Sequence, residues 1–216
     1  MSMGGRPRRC TTRRDILAVS LIALLLAVAP PARAADAQAA APIQALSAGL
    51  VTAMKAGKSA PFAQRYTALA PLVDRAFDLP GILASSVGPR FASLPGDQQA
   101  KLLDVFRKFT VASYVANFDS FSGERVEVLA EQRSVGADVI VQTVIAPAQG
   151  EAVHIDYVMR SGPQGWRAVD VLLNGSISQN AVKRSDFRSL VTANSAQPLI
   201  DSLQRKVAEL SGGSLA

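Results

Sequence analysis

Thiol chemistry is almost absent from this chain. Of 216 residues one is a cysteine, Cys10. Beyond residue 34 there is none, which excludes a disulfide framework, a thiolate nucleophile and a cysteine-based metal site there. Histidine is equally scarce: His154 stands alone. A metal centre wants roughly three or four ligands of suitable type. The sequence offers no such cluster, so no metal and no other cofactor is expected. The glycine-rich phosphate loop and the Gly-x-Gly-x-x-Gly fingerprint are missing as well. So is an apolar run that could span a bilayer. The longest, Ile16 to Ala29, covers 14 residues, where a spanning helix needs about 18.

Positive charge is scarcer than the net of +6 suggests. Residues 1–34 hold six arginines and one acid, Asp15, and the remainder carries 17 basic and 16 acidic residues, a net of +1. That leaves no electrostatic case for nucleic acid as a partner. What the chain does have is apolar mass. Hydrophobic residues make up 49% and charged residues 19%, the balance of a chain that buries a core rather than staying disordered.

The arginines of the first 34 residues belong to a three-part pattern. Residues 1–14 carry five arginines and no acid, Ile16 to Ala29 is apolar but for Ser20, and Ala32-Arg33-Ala34 follows Pro30-Pro31 as a small-x-small site. This is the layout of a cleaved secretory signal peptide over residues 1–34, so the periplasm is the expected compartment. Thr12-Arg13-Arg14-Asp15-Ile16-Leu17 also fits twin-arginine export. Cys10 precedes the apolar run and is not placed like a lipoprotein anchor. Residues 35–42, alanine-rich with Asp36, Gln38 and Pro42, are expected to form a linker, and 43–216 a single domain.

From Pro42 a helical spacing begins, with Ile43, Leu46, Leu50 and Met54 on one stripe and Gly57 as its stop. A second stripe runs through Phe62, Tyr66, Leu69 and Val73. Asp78 is placed as the N-cap of a short helix, with Pro80 in its first turn. The longest helix is predicted from Pro95, with Leu102, Phe106, Phe109 and Ser113 on one stripe. Its apolar face is broad enough to meet more than one neighbour. After Ser122-Gly123 the period changes to two. Alternating runs cover Val126 and Val128, then Val139 to Ile145, Val153 to Met159, and Trp166 to Leu173, parted by short turns such as Gly162-Pro163-Gln164-Gly165. Such runs predict antiparallel hairpins. Helical spacing returns around Val182 to Val191 and from Pro198 to Leu210. The fold class is therefore α+β: N-terminal helices, a twisted four-stranded antiparallel meander, and C-terminal helices packed on one face around an apolar cavity.

Catalytic signals are weak. His154 and Asp156 sit two residues apart and share one face of a strand, which would suit an acid–base pair. Alternation favours a solvated outer face for both. Asn174-Gly175-Ser176-Ile177-Ser178-Gln179 lacks the second glycine of a nucleophile elbow. It reads as a strand-to-helix corner in which Ser176 or Ser178 caps the helix. Lys183, Arg184 and Arg188 form a small basic cluster that Asp186 partly cancels.

The order of these motifs resembles the MlaC family of periplasmic lipid-binding proteins. The resemblance is carried by Phe77-Asp78-Leu79-Pro80, by the helix start at Gln98 followed by Phe106 and Tyr114, and by the strand Val153 to Met159. It continues through Gly165 to Val171, Asn174 to Ser178, Arg184-Ser185-Asp186-Phe187 and Pro198 to Leu203. The segment Tyr114 to Glu124 is most similar to the hopanoid-biosynthesis-associated HpnM branch. Where the resemblance would place a tyrosine after the corner, Val182 and Lys183 stand instead.

The resemblance implies a non-enzymatic periplasmic lipid carrier. Its cargo would be a hopanoid or a phospholipid, exchanged with an inner-membrane transport complex served by an ABC transporter, and with an outer-membrane partner. On that reading the pocket is lined by Leu102, Phe106 and Phe109 from the long helix. The sheet would add Val139, Val141, Val153, Ile155, Tyr157, Val169 and Val171. Two other classes stay open on the residues alone. One is a small α+β enzyme using His154 and Asp156; the other is a ligand-free scaffold of an envelope complex.

Overall fold

The computed structural model describes residues 32–215. The expected leader lies outside the described residues except for its last three. Helix α1 runs from Ala32 to Ala56. The linker expected over 35–42 is thus corrected: this stretch is helical, and Ala39 and Ala40 are buried. Alanine has the highest helix propensity, and small side chains let a helix pack closely. Pro42 sits inside the helix and removes one backbone hydrogen bond there. The buried stripe of Ile43, Leu46 and Leu50 offsets that loss.

Helix α2 (Phe62–Ala76) pairs with α1. Helix α3 (Leu79–Val87) starts at Asp78, whose carboxylate accepts a hydrogen bond from the Gly81 amide at 3.1 Å. After the short α4 (Arg90–Ser93) comes the 22-residue α5, Gly96–Asn117. It packs against α2 and α3 and against the last helix, α7 (Gln197–Ser211). A bidentate pair, Arg107 to Asp74 at 2.7 and 2.6 Å, ties α5 to α2. The buried Arg65 of α2 donates to the Val115 carbonyl in the last turn of α5, at 3.0 Å. That turn holds no basic residue of its own to complement the helix dipole.

The sheet is antiparallel throughout. Its strands are β1 (Arg125–Val128), β2 (Arg133–Val135), β3 (Asp138–Ala146), β4 (Val153–Gly162), β5 (Gly165–Leu173) and β6 (Ile177–Ser178), in the order β1-β3-β4-β5-β6. The expected four-strand meander is present with two refinements. The first strand is broken, because β1 and β2 both pair with β3 while residues 130–132 between them leave the ladder. A two-residue β6 extends the other edge. The register between β4 and β5 shifts at Val158/Met159, and Val169 is the extra residue. Such a bulge bends the strand and re-aims side chains.

Helix α1 lies across β1, β3, β4 and β5, while α3 and α6 (Gln179–Phe187) meet the β5 edge. The largest fully buried side chains include Ile43, Leu69, Leu83, Leu102, Phe106 and Ile200, all from helices. The core is therefore centred among the helices.

Candidate functional site

Residues 106, 109, 110, 113, 114, 117 and 118 of the α5 region are linked by spacings of three and four (106 to 109 and 110, 110 to 113 and 114, 114 to 117 and 118), which keeps them on one face. This face stands over the β4–β5 half of the sheet and encloses a cavity of about 330 Å³. The volume falls at the lower end of the ~300–1,000 Å³ usual for ligand sites. Phe77, Leu79 and Ile82 close one side; Ile155, Tyr157, Val171 and Leu173 come from the sheet. Phe77 packs against Tyr114 (5.7 Å between ring centroids) and Tyr157 (6.0 Å), and Tyr114 stacks on Phe118 at 6.0 Å. The aromatic cluster gives this end of the cavity a stiff wall. Burial pushes the Tyr157 phenol up to about 12, an effect the neighbouring Tyr114 hydroxyl partly offsets, and burial likewise raises Tyr114 well above its ordinary value. Both phenols are neutral at physiological pH, so the wall carries no charge. The Thr110 and Ser113 hydroxyls bond back to the Phe106 and Phe109 carbonyls at 2.9 and 2.8 Å, which leaves little polarity facing the cavity.

The rim belongs to the corner between β5 and α6. Asn174 and Gly175 adopt positive φ, 50° and 71°, and turn the chain. Ser178 caps α6 by accepting from the Ala181 amide at 3.0 Å. Asp170 then receives three hydrogen bonds, from the Ser178 hydroxyl (2.6 Å), the Asn180 amide (3.1 Å) and the Val171 amide (2.8 Å). The Asn180 side chain donates to the Val169 carbonyl at 2.7 Å and to the Ser85 hydroxyl at 3.2 Å. The Arg184 guanidinium holds the Ser85 carbonyl with two bonds, 3.0 and 2.7 Å. This network pins α6 to β5 and α3, and so fixes Gln179, Asn180 and Lys183 along the cavity. Burial pulls the Lys183 ammonium below its ordinary value, against the opposing fields of Asp170 and Asp186.

Of the residues expected to line a pocket, Phe106, Phe109, Ile155, Tyr157 and Val171 do line this cavity. The others do not. Leu102, Val139 and Val141 are buried in filled core. Val153 shares the face of Ile155 and Tyr157 but is 45% exposed, near the end of its strand. Val169 is displaced by the bulge into a separate surface cleft beside Asp78 and Arg160. The α5 residues not expected in the lining, Thr110, Ser113 and Asn117 among them, continue the Phe106–Phe109 stripe, but their polarity hid their place along the cavity. Phe77, Leu79 and Ile82, and the rim residues of α6, carried no such signal. His154 is exposed, while Asp156 is buried and not solvated as expected. The Gly175 turn lies over its carboxylate, with space for a Cβ only 3.6 Å from Oδ2. Neither residue lines the cavity.

Helices folded over one face of an antiparallel sheet, with an unfilled apolar chamber between the layers, define an α+β protein built around an internal cavity. The sequence model described as "MlaC protein" matches residues 44–205, and the chain belongs to the MlaC family. A solved structure of similar fold is the phospholipid-binding protein from Ralstonia solanacearum in complex with a phospholipid. It has a TM-score of 0.67 at 16% identity, covering 81% of this chain and 99% of that one. No curated protein matches the sequence.

Proposed function

We propose that this protein is a non-enzymatic lipid carrier of the bacterial periplasm. It holds the apolar part of a membrane lipid and shuttles it between envelope membranes. The observation that carries this reading is the unfilled cavity lined by Phe77, Phe106, Phe109, Ile155, Tyr157 and Val171. Native interiors are close-packed, and this hollow is lined almost wholly by apolar and aromatic side chains, as ligand sites are. Family membership and the phospholipid of the Ralstonia neighbour support the same reading.

The physical need for a carrier is plain. Burying one methylene is worth about 0.8 kcal/mol, so a lipid with ~30 of them faces a barrier on the order of 20 kcal/mol to cross water unaided. A dry chamber removes that barrier with no catalytic group. Hydrophobic retention is non-directional, so release requires a partner that opens the chamber. The partners are an inner-membrane transport complex of the ABC type and an outer-membrane acceptor. The similarity of Tyr114 to Glu124 to the HpnM branch supports a hopanoid cargo; the Ralstonia neighbour supports a phospholipid. Export proceeds through the leader of residues 1–34, with cleavage after Ala34.

The test is gentle purification from the periplasm followed by mass spectrometry of intact protein and extracted lipid. The expected result is a chain beginning at Ala35 with a stoichiometric membrane lipid. A periplasmic protein free of lipid, which also takes none from vesicles, overturns the carrier reading.

A further inference from the structure

Along the cavity the lining is apolar or neutral at every position but one. The exception is Lys183. It lies four residues after Gln179 and three after Asn180 on α6, so the three share a face. Helical side chains lean toward the N-terminus of their helix, which carries the ammonium toward the corner at Ser178 and the open rim. There it is half-buried. Among the described residues it makes no ion pair within 4.0 Å. Of the acids near it, Asp186 is exposed and Asp170 is already engaged by three donors.

A cation partly withdrawn from water without a partner is costly. A guest with an uncharged head would desolvate it further and return only a neutral acceptor, a weaker partner than an anion. A guest with an anionic head would complete it with a charge-assisted hydrogen bond. Two of the backbone amides at the start of α6 are already engaged. The Asn180 amide is taken by Asp170 and the Ala181 amide by Ser178. Among the side chains that line the cavity, the positive charge is that of Lys183.

We propose that Lys183 is a specificity-determining residue that selects lipids whose polar head carries an anionic group, a phosphate ester above all, over lipids with an uncharged head. The proposal rests on the carrier reading and deepens it. The chains enter the chamber between α5 and the β4–β5 sheet, and the phosphate stays at the rim against the ammonium.

The experiment offers delipidated protein mixed vesicles in which phosphatidylglycerol and diacylglycerol bear the same acyl chains. The protein is then repurified and the two lipids counted by mass spectrometry. Wild type is expected to favour phosphatidylglycerol by about tenfold, the size of one hydrogen bond to a charged group. In Lys183→Met that ratio falls to near one, and in Lys183→Arg it is retained. A ratio unchanged in Lys183→Met overturns the proposal while leaving the carrier reading intact. Wild type that takes up neither lipid overturns both. A further arm adds millimolar glycerol 3-phosphate, which has the phosphate without the chains. It is expected not to displace the lipid, and displacement would instead make the rim a site for soluble phosphate esters.

Discussion

Asp170 does more at the β5–α6 corner than its place in an alternating strand suggests. One carboxylate receives the Ser178 hydroxyl and the amides of Asn180 and Val171. Hydrogen bonds to a charged acceptor are worth about 1.5–3 kcal/mol each, and orphaned donors add to the loss. Asp170→Ala is expected to lower stability by about 2–4 kcal/mol, read from the urea midpoint. Lipid retention should fall as the rim loosens. The phenols make a pH-dependent contribution. The folded protein holds Tyr157 at about 12, above its ordinary 10, and raises Tyr114 as well. Their contribution is whole below pH 10. It is lost as pH rises from 10 through 12, because the unfolded chain releases these protons first. Urea unfolding at pH 9, 10 and 11 should show falling stability, and Tyr114→Phe/Tyr157→Phe should flatten the slope. At the cavity wall, Val171→Trp would fill space the guest needs. Retained lipid should drop several-fold while the far-UV spectrum stays native, since α5 faces empty volume there.

At the scale of elements, α1 separates local composition from tertiary use. An alanine-rich segment with a proline looks like a tether, yet Ala39 and Ala40 are buried and the helix crosses four strands. Hydrogen exchange is expected to show amides 43–50 among the slowest and 39–41 protected with them; a tether would exchange at once. Helix α5 was legible because its apolar stripe recurs along a helix of 22 residues. Its polar members Thr110, Ser113 and Asn117 were harder to read. Polarity on an apolar stripe can mean solvent, a neighbouring carbonyl or a cavity, and only packing distinguishes them. The broken first strand had a similar history. Residues 130–132 leave the ladder, and only the pairing of both β1 and β2 with β3 marks the break.

For the whole molecule the question is how a guest enters. The rim is held by Asn180 and Arg184 reaching Ser85 of α3, while toward α5 the α6 helix offers apolar packing, Phe187 edge-to-face on Phe106 at 6.3 Å between ring centroids. Opening is therefore expected to break these α6–α3 bonds and swing α6 away from α3. The chain beyond residue 34 has no cysteine, so Ser85→Cys/Asn180→Cys can be crosslinked without competing thiols. The wild-type side-chain tips lie 3.2 Å apart. Oxidised double mutant is expected to retain its lipid and to transfer it between vesicles several-fold more slowly, with the rate restored by reductant. Equal rates before and after reduction would place the entrance elsewhere.

The sequence by itself determined the order of layers. Its change from a period near 3.6 to a period of two at Ser122-Gly123, and back after Asn174-Gly175, is a statement about backbone geometry that no packing reverses. It also determined the N-cap at Asp78 and narrowed the second to Ser176 or Ser178, of which Ser178 is used, because a cap is a local hydrogen bond. Tertiary structure alone decided where the interior is left empty. Periodicity reports which face of an element is covered, not whether the opposite side is filled. Val141 and Tyr157 are register partners on the same face of the sheet, and one packs into solid core while the other borders the chamber. The bulge at Val169 and the placing of Lys183 at the rim follow from the same cause. Both depend on how two distant segments meet, and that information is not carried by either segment alone.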